Sequence, residues 1–246
     1  MIEKIRNSKK LNYYIMTSLI IFQLGTIVWF CIELSFFSIY IHITNWSFCI
    51  SSIYLFLTLI CDTNNYFFSS NKLDNFSYFL RNSFSKIAYP YCFMITIGFW
   101  MILFIGLIFR TETFTKSGAK ISTFRIICNY HLHFGITIIM FIELLLNKRG
   151  EMKLTLESGI VNTIIFICYT IMVCIAKYIF NKNAYYFMSK MSFLTIILVG
   201  TAIFCLLIGS IFIYNEVSNG INRKYINEIK SKQYKELIIE AEMQRL

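Results

Sequence analysis

Two polar side chains in otherwise apolar stretches of the sequence, Thr44 and His133, could together perform chemistry. A threonine hydroxyl is a weak nucleophile until a base takes its proton, and neutral imidazole is the usual base. Thr44 opens the apolar run 43–61, and His133 lies about 12 Å along a helix inside the run 125–146. If both runs enter a membrane at the same face, the two side chains can meet. Such a pair would permit nucleophilic catalysis.

Helical spacing separates the candidates around His133. Asn129, His133 and Thr137 are four residues apart and therefore share one helix face. His131 lies roughly 160° away from His133 around the helix, at 100° per residue. We expect His133 to face the protein interior with Asn129 as a supporting residue. We expect His131 to lie nearer the polar border, within reach of water.

Both candidate residues also have structural interpretations. Threonine commonly bonds back to a carbonyl of its own helix, and a histidine inside a membrane commonly donates an interhelical hydrogen bond. A metal site built from His42, His131 and His133 is disfavoured, because no acidic ligand lies at helical spacing and two of the rings diverge. The sequence therefore predicts neither a metal nor a cofactor.

The elements that must position these residues are membrane spans. Hydrophobic residues make up 57% of the 246 residues and charged residues only 15%, and the mean hydropathy is +0.61. A span needs roughly 20 mostly apolar residues. The pattern predicts an all-α polytopic membrane protein, a six-transmembrane-helix bundle. Its predicted spans are 12–34, 43–61, 87–109, 125–146, 159–180 and 192–214.

The distribution of positive charge predicts the orientation of the bundle. With the N-terminus in the cytosol, the cytosolic segments carry 16 of the 23 Lys and Arg residues and the opposite segments carry 7. This bias favours cytosolic placement of both termini. The net charge of +10 is thus an orientation signal, and nucleic acid is not an expected partner. The eight cysteines form no CxxC pair and suit small buried apolar positions.

The chain divides into two predicted parts. Residues 1–222 form the membrane domain, and residues 223–246 form a cytosolic amphipathic tail. The tail carries pairs of opposite charge at i, i+4 spacing, which is typical of a solvated terminal helix near lipid headgroups. The single proline, Pro90, is expected in the first turn of the third span, where its missing N–H costs little.

Short motifs recur around the two candidate residues. The segment "NYHLHFGITIIMFIE" carries Asn129 four residues before His133 and Glu143 ten residues after it. The segment "ITNWSFCISSIYLFLTLICD" carries Thr44 as its second residue and Asp62 as its last, at the end of the second span. The third span and the end of the sixth span add three dipeptides. These are Tyr89-Pro90, Phe99-Trp100 and Glu216-Val217.

In the order and spacing of these motifs, residues 40 to 222 resemble the androgen-induced and androgen-dependent membrane hydrolases, the FAR-17a family. The resemblance implies a six-span enzyme that hydrolyses lipid esters, notably fatty acid esters of hydroxy fatty acids. It implies Thr44 as the nucleophile and His133 as the general base. Tyr130 and Phe134 stand where members commonly carry His and Thr. The substrate would come from the bilayer, and protein partners are not indicated. The endoplasmic reticulum or the plasma membrane would suit such a protein.

Two other classes of function are compatible with the sequence. A six-helix transporter or channel would show inverted repeats and helices broken by Gly or Pro, and neither is evident in a chain with one proline. A structural membrane protein would use Thr44 and His133 only to join helices.

Overall fold

The protein is described here by a computed structural model. The structure describes residues 8–33, 42–67, 71–109, 130–147, 156–182 and 192–243. All secondary structure in these ranges is helical. The helices are α1 (Lys9–Glu33), α2 (Ile43–Phe67), α3 (Asn71–Phe109), a π turn (His131–Gly135) that continues into α4 (Ile136–Leu146), α5 (Leu156–Tyr178) and α6 (Phe193–Met243).

Four of these helices are long and apolar enough to cross a membrane, judged by length and composition. The qualifying stretches lie in α1, α2, α5 and α6. Large apolar side chains such as Phe22, Ile53 and Ile164 are about half exposed on their outer faces, as expected of surfaces that face lipid. These features support a membrane protein. The count of six spans and the cytosolic placement of both termini stay predictions.

The helices α2 and α3 form an antiparallel pair near the centre of the bundle. Ser51 on α2 contacts Cys92 on α3, and Asp62 at the far end of α2 forms an ion pair with Arg81 near the beginning of α3. Much of the region expected to be a polar link after residue 61 is therefore helical, since α3 already begins at Asn71. The helices α1, α4 and α6 pack around this pair through a shared apolar core that includes Met16, Leu55, Met140 and Tyr214.

Pro90 lies in the middle of α3 and not in a first turn, so the expectation for this residue was wrong. A proline inside a helix cannot donate to the carbonyl four residues earlier, which here belongs to Lys86. The Lys86 carbonyl instead accepts a hydrogen bond of 3.0 Å from the Asn162 amide on α5. The Tyr91 hydroxyl donates to the Asn162 carbonyl from the next turn of α3. The carbonyl that Pro90 leaves unbonded within α3 thus takes part in the hydrogen-bonded contact between α3 and α5.

The last helix, α6, continues without a break past residue 222, where the tail was predicted to begin. Asn222 is fully buried and Ile226 is 7% exposed, so packing extends into the first turn of the tail. The helix becomes exposed beyond this turn, at Glu228, Lys230 and Tyr234. The domain boundary stays a prediction, and the packing favours a position after Ile226.

Candidate functional site

A widened helical turn carries both histidines of the fourth predicted span. Residues His131 to Gly135 form a π turn, in which the Ile136 N–H donates to the His131 carbonyl five residues earlier. Single π turns are frequent at functional sites. The two rings leave the turn on different sides. His131 contacts Phe22 of α1 and Phe48 of α2, whereas His133 contacts Phe99 of α3.

His133 is partly buried and lies flat on the ring of Phe99. The ring centroids are 4.3 Å apart and the planes differ by 14°. Its Nδ1 atom is buried and has no hydrogen-bond partner among the described residues. Buried polar atoms in proteins are almost always bonded, so an exception needs an explanation such as a catalytic role. The imidazole is therefore held in place by stacking while a ring nitrogen stays available.

The backbone of the π turn is attached to α3 by a chain of hydroxyl groups. Thr96 donates a 2.7 Å hydrogen bond to the His133 carbonyl. Its Oγ1 atom also lies 2.7 Å from Oγ1 of Thr137, which in turn reaches the Cys92 carbonyl at 3.1 Å. A widened turn disturbs the usual i to i+4 bonding, and side chains of a neighbouring helix can satisfy the freed carbonyl. Thr96 thereby fixes the height of His133 against α3.

Thr44 lies in the first turn of α2 and is 6% exposed. The Ser51–Cys92 contact, with its atoms 2.8 Å apart, sets the register of α2 against α3. Thr44 and Phe99 are each seven residues from this contact, or about 10 Å toward the same end of the bundle. Thr44 therefore lies at the level of Phe99 and of the His133 ring stacked upon it. No hydrogen bond joins the Thr44 hydroxyl to His133 in the part of the chain that the structure describes.

The residue just before α2 supports this proximity. His42 lies two residues before Thr44, and its ring is close enough to interact electrostatically with His133. The N-terminal end of α2 also provides a positive electrostatic potential near Thr44. In α2 the Asn45 and Trp46 N–H groups donate to the His42 carbonyl. The N–H groups before them have no partner within the helix and form the positive end of its dipole. Thr44 thus stands where a developing negative charge would be stabilised.

His131 is buried, contrary to the expectation that it lies within reach of water. It is 9% exposed, and its Nε2 atom lies 2.9 Å from the Gln23 side-chain oxygen. The Gln23 side-chain N–H donates to the Ser52 hydroxyl at 2.7 Å, so the Gln23 side-chain oxygen is the atom that faces His131. His131 Nε2 therefore carries the proton and donates to this oxygen. Any side chain at Gly135 would collide with the His131 ring. His131 thus anchors the π turn to α1 and α2.

A family model described as "FAR-17a/AIG1-like protein" matches residues 9–219. The chain belongs to the FAR-17a/AIG1-like family. The matched region contains α2, the π turn and the Thr44 and His133 positions. No curated protein and no solved structure matched the chain.

A second polar cluster of this FAR-17a/AIG1-like chain surrounds Glu143, ten residues beyond His133. Glu143 is fully buried, and its Oε1 atom accepts hydrogen bonds of 2.8 Å from the Tyr54 hydroxyl and the Asn147 amide. The Tyr89 hydroxyl bonds to the other carboxylate oxygen. Arg81, paired with Asp62, is close enough to interact electrostatically with Glu143. Both oxygens of the Glu143 side chain thus have hydrogen-bond partners inside the bundle.

Asn129 lies outside the described residues, so its supporting role stays a prediction. Within the described ranges, no three His, Cys, Asp or Glu side chains are grouped so that they could hold a metal ion. His131 and His133 themselves face different helices, as their spacing predicts.

The sequence interpretation missed Gln23, Thr96 and Phe99 as parts of the site. Gln23 had a usable signal, because it is the only amide side chain within residues 13–33. An amide inside an apolar span requires a polar partner. Thr96 and Phe99 had no such signal, because their roles depend on the register of α3 against the π turn.

Proposed function

We propose that this FAR-17a/AIG1-like protein hydrolyses lipid esters within the membrane, with Thr44 as the nucleophile and His133 as the general base. The observation that carries the proposal is the buried, unbonded Nδ1 atom of His133 at the level of Thr44. Family membership supports the reaction class. A neutral imidazole without a partner is suited to accept the proton of a nearby hydroxyl.

The reaction would proceed by two acyl transfers. Oγ1 of Thr44 attacks the ester carbonyl carbon while His133 takes the hydroxyl proton. The tetrahedral intermediate collapses, the carbon–oxygen bond to the alcohol breaks, and the leaving oxygen takes the proton from His133. Water then attacks the acyl-threonine and gives a proton to His133. The threonine oxygen leaves and regains that proton, and the fatty acid is released.

The first turn of α2 would stabilise the oxyanion of each tetrahedral intermediate. Backbone N–H groups at a helix N-terminus are suited to bind a negative charge. Asn129, one turn before His133 in sequence, is proposed as an additional donor or as a group that orients the imidazole. Fatty acid esters of hydroxy fatty acids are the proposed substrates, because their two chains can stay in the bilayer while the ester reaches the site.

Covalent labelling with a fluorophosphonate tests this proposal directly. The purified wild-type chain should form a phosphonyl adduct that mass spectrometry assigns to Thr44, and Thr44→Ala should form none. Thr170→Ala is a matched control, because its partly buried hydroxyl donates to the Phe166 carbonyl of its own helix. An adduct of equal yield in Thr44→Ala would refute the assignment of the nucleophile.

The alternative classes predict a different result. In a transporter, a channel or a purely structural protein, Thr44 and His133 join helices and the folded chain does not react with the probe at Thr44. A folded wild-type protein that gives no adduct and releases no fatty acid from lipid esters would favour those classes.

A further inference from the structure

A row of polar side chains runs along the face of α2 that packs on α3. Its members are spaced by three or four residues, so they form one stripe along the helix. Beginning one turn after Thr44, the stripe extends for about 22 Å at 1.5 Å per residue. All but the last member are buried. The members are Ser47, Ser51, Tyr54, Thr58 and Asp62.

The facing side of α3 is polar at the same levels. Ser51 contacts Cys92, Tyr54 packs against Tyr89 with ring centroids 5.8 Å apart, and Asp62 pairs with Arg81. We call the two facing rows the α2/α3 polar seam. The α3 row consists of Arg81, Ser85, Tyr89, Cys92 and Thr96.

Unbonded polar atoms lie along this seam. The hydroxyl oxygen of Thr58 is buried without a hydrogen-bond partner among the described residues. The Ser47 hydroxyl makes no hydrogen bond of good geometry, although it lies close to the Cys92 thiol, and both side chains are 1% exposed. Two ring or guanidinium nitrogens are likewise buried without a hydrogen-bond partner among the described residues. They are Nε of Arg81 at one end of the seam and Nδ1 of His133 at the other. Buried polar groups of this kind are normally satisfied by ordered water. The seam therefore offers successive sites for water between the two ends.

The two ends of the seam differ in access. The side chains of Arg81 and Asp62 are 16% and 18% exposed, so this end of the seam is partly open to the surface of the bundle. At the other end, Ser47 lies one turn from Thr44, and Thr96 contacts the His133 carbonyl. Between them, the Ser51–Cys92 contact and the Tyr54 hydroxyl on Glu143 supply further polar groups.

We propose that the α2/α3 polar seam supplies the water that hydrolyses the acyl-threonine intermediate, from the Arg81–Asp62 end of the bundle to Thr44. An ester and its fatty acyl chain can approach from lipid, but water needs a polar route. Water is the second substrate of the reaction, and one molecule is consumed for each fatty acid released. The inference rests on the proposed function of Thr44 and His133.

The test separates acylation from deacylation. The double variant Ser47→Ala and Thr58→Val removes the two hydroxyls with little change of shape. Fluorophosphonate labelling of Thr44 consumes no water, so its rate should stay within about twofold of wild type. Hydrolysis of a chromogenic fatty acid ester needs water and should show a burst of about one alcohol per enzyme, followed by steady turnover slowed about tenfold or more.

The matched control removes a serine and a threonine hydroxyl elsewhere. Ser210 and Thr170 bond to carbonyls of their own helices, α6 and α5, so Ser210→Ala with Thr170→Val should change neither labelling nor turnover. Wild-type turnover without a burst in the seam variant would overturn the water route. Parallel loss of labelling and turnover in that variant would also overturn it, by showing a purely structural role. If wild-type Thr44 is never labelled, the proposed function itself fails.

Discussion

The imidazole of His133 lies flat against the phenyl ring of Phe99, with ring centroids 4.3 Å apart. An aromatic pair of this kind contributes about 0.5–1.5 kcal/mol beyond its buried area. The stacking fixes the plane of the imidazole while leaving its nitrogens available. The orientation of the proposed base is thus determined by α3, a helix that contributes no reacting group.

Replacing Phe99 should affect catalysis more than folding. Phe99→Leu keeps an apolar side chain but removes the stacked ring, so kcat for ester hydrolysis should fall about two- to tenfold with a smaller change in KM. Trp100→Leu is the control, because this neighbouring ring packs on Phe134 and is half exposed. Equal rates for the two variants would mean that the stack does not orient the base.

The proposed catalytic pair should behave as one unit. Loss of proton transfer in His133→Ala should lower kcat about 10²–10⁴-fold, and Thr44→Ala should reduce hydrolysis to background. The double variant should be no slower than Thr44→Ala alone. Thr44→Ser keeps the hydroxyl and should retain part of the activity. A folded Thr44→Ala protein that hydrolyses lipid esters at the wild-type rate would exclude the mechanism.

Gly135 and His131 should be coupled in stability. Gly135→Ala introduces a methyl group that collides with the His131 ring, so thermal unfolding of the purified protein should shift to a lower temperature. In the background of His131→Ala this penalty should largely disappear, and a double-mutant cycle should show the coupling. Additive shifts in the two backgrounds would contradict the packing of this turn.

His131→Ala alone should lose the bond to Gln23, at a cost of about 0.6–2 kcal/mol. In the fraction that stays folded, Thr44 labelling should be kept, since His131 faces away from α3. Loss of labelling in folded His131→Ala protein would instead place this residue in the reaction.

Two substitutions of Glu143 test whether the stability of its cluster depends on hydrogen bonding or on charge. Glu143→Leu leaves buried hydroxyl and amide donors without their acceptor, at about 1–3 kcal/mol for each group. Glu143→Gln keeps one acceptor oxygen, and its amide can donate to Tyr89, whose hydroxyl already reaches the Met140 carbonyl at 2.8 Å. Thermal unfolding should therefore rank wild type above Glu143→Gln and Glu143→Gln well above Glu143→Leu. Equal stability of the two variants would show that the cluster depends on charge alone.

Two truncations test where the membrane domain ends. Removal of residues 229–246 keeps the buried side chain of Ile226 and should leave hydrolysis and unfolding temperature near wild type. Removal of residues 223–246 also deletes the buried side chain of Ile226 and should lower stability by about 1–3 kcal/mol. If both truncations match wild type in unfolding assays, the packing of Ile226 contributes nothing.

Sequence spacing predicted part of this site and could not predict the rest. The divergence of His131 and His133 follows from their separation by two residues, whichever helical turn carries them. The partner of His131 could not be predicted, because Gln23 is 108 residues away and only tertiary packing brings it near. The apolar pattern located a helix within each predicted span. It did not predict the first turns of α3, because the residues before position 87 are largely polar. Thr44 and His133 lie at the same height in the bundle because the contact between Ser51 and Cys92 fixes how α2 is aligned with α3. A single sequence does not reveal this alignment.

The break in α3 at Pro90 also bears on how the bundle is assembled. During synthesis α3 is made before α5, so the Lys86 carbonyl has no hydrogen bond from Asn162 until α5 packs against α3. An unbonded carbonyl is costly in an apolar setting. Only the register that brings Asn162 opposite Lys86 satisfies it, and a slip of one helical turn would leave it open. The chain's single proline thus selects which turn of a later helix can dock, and Pro90→Ala would remove that selection by restoring the bond within α3.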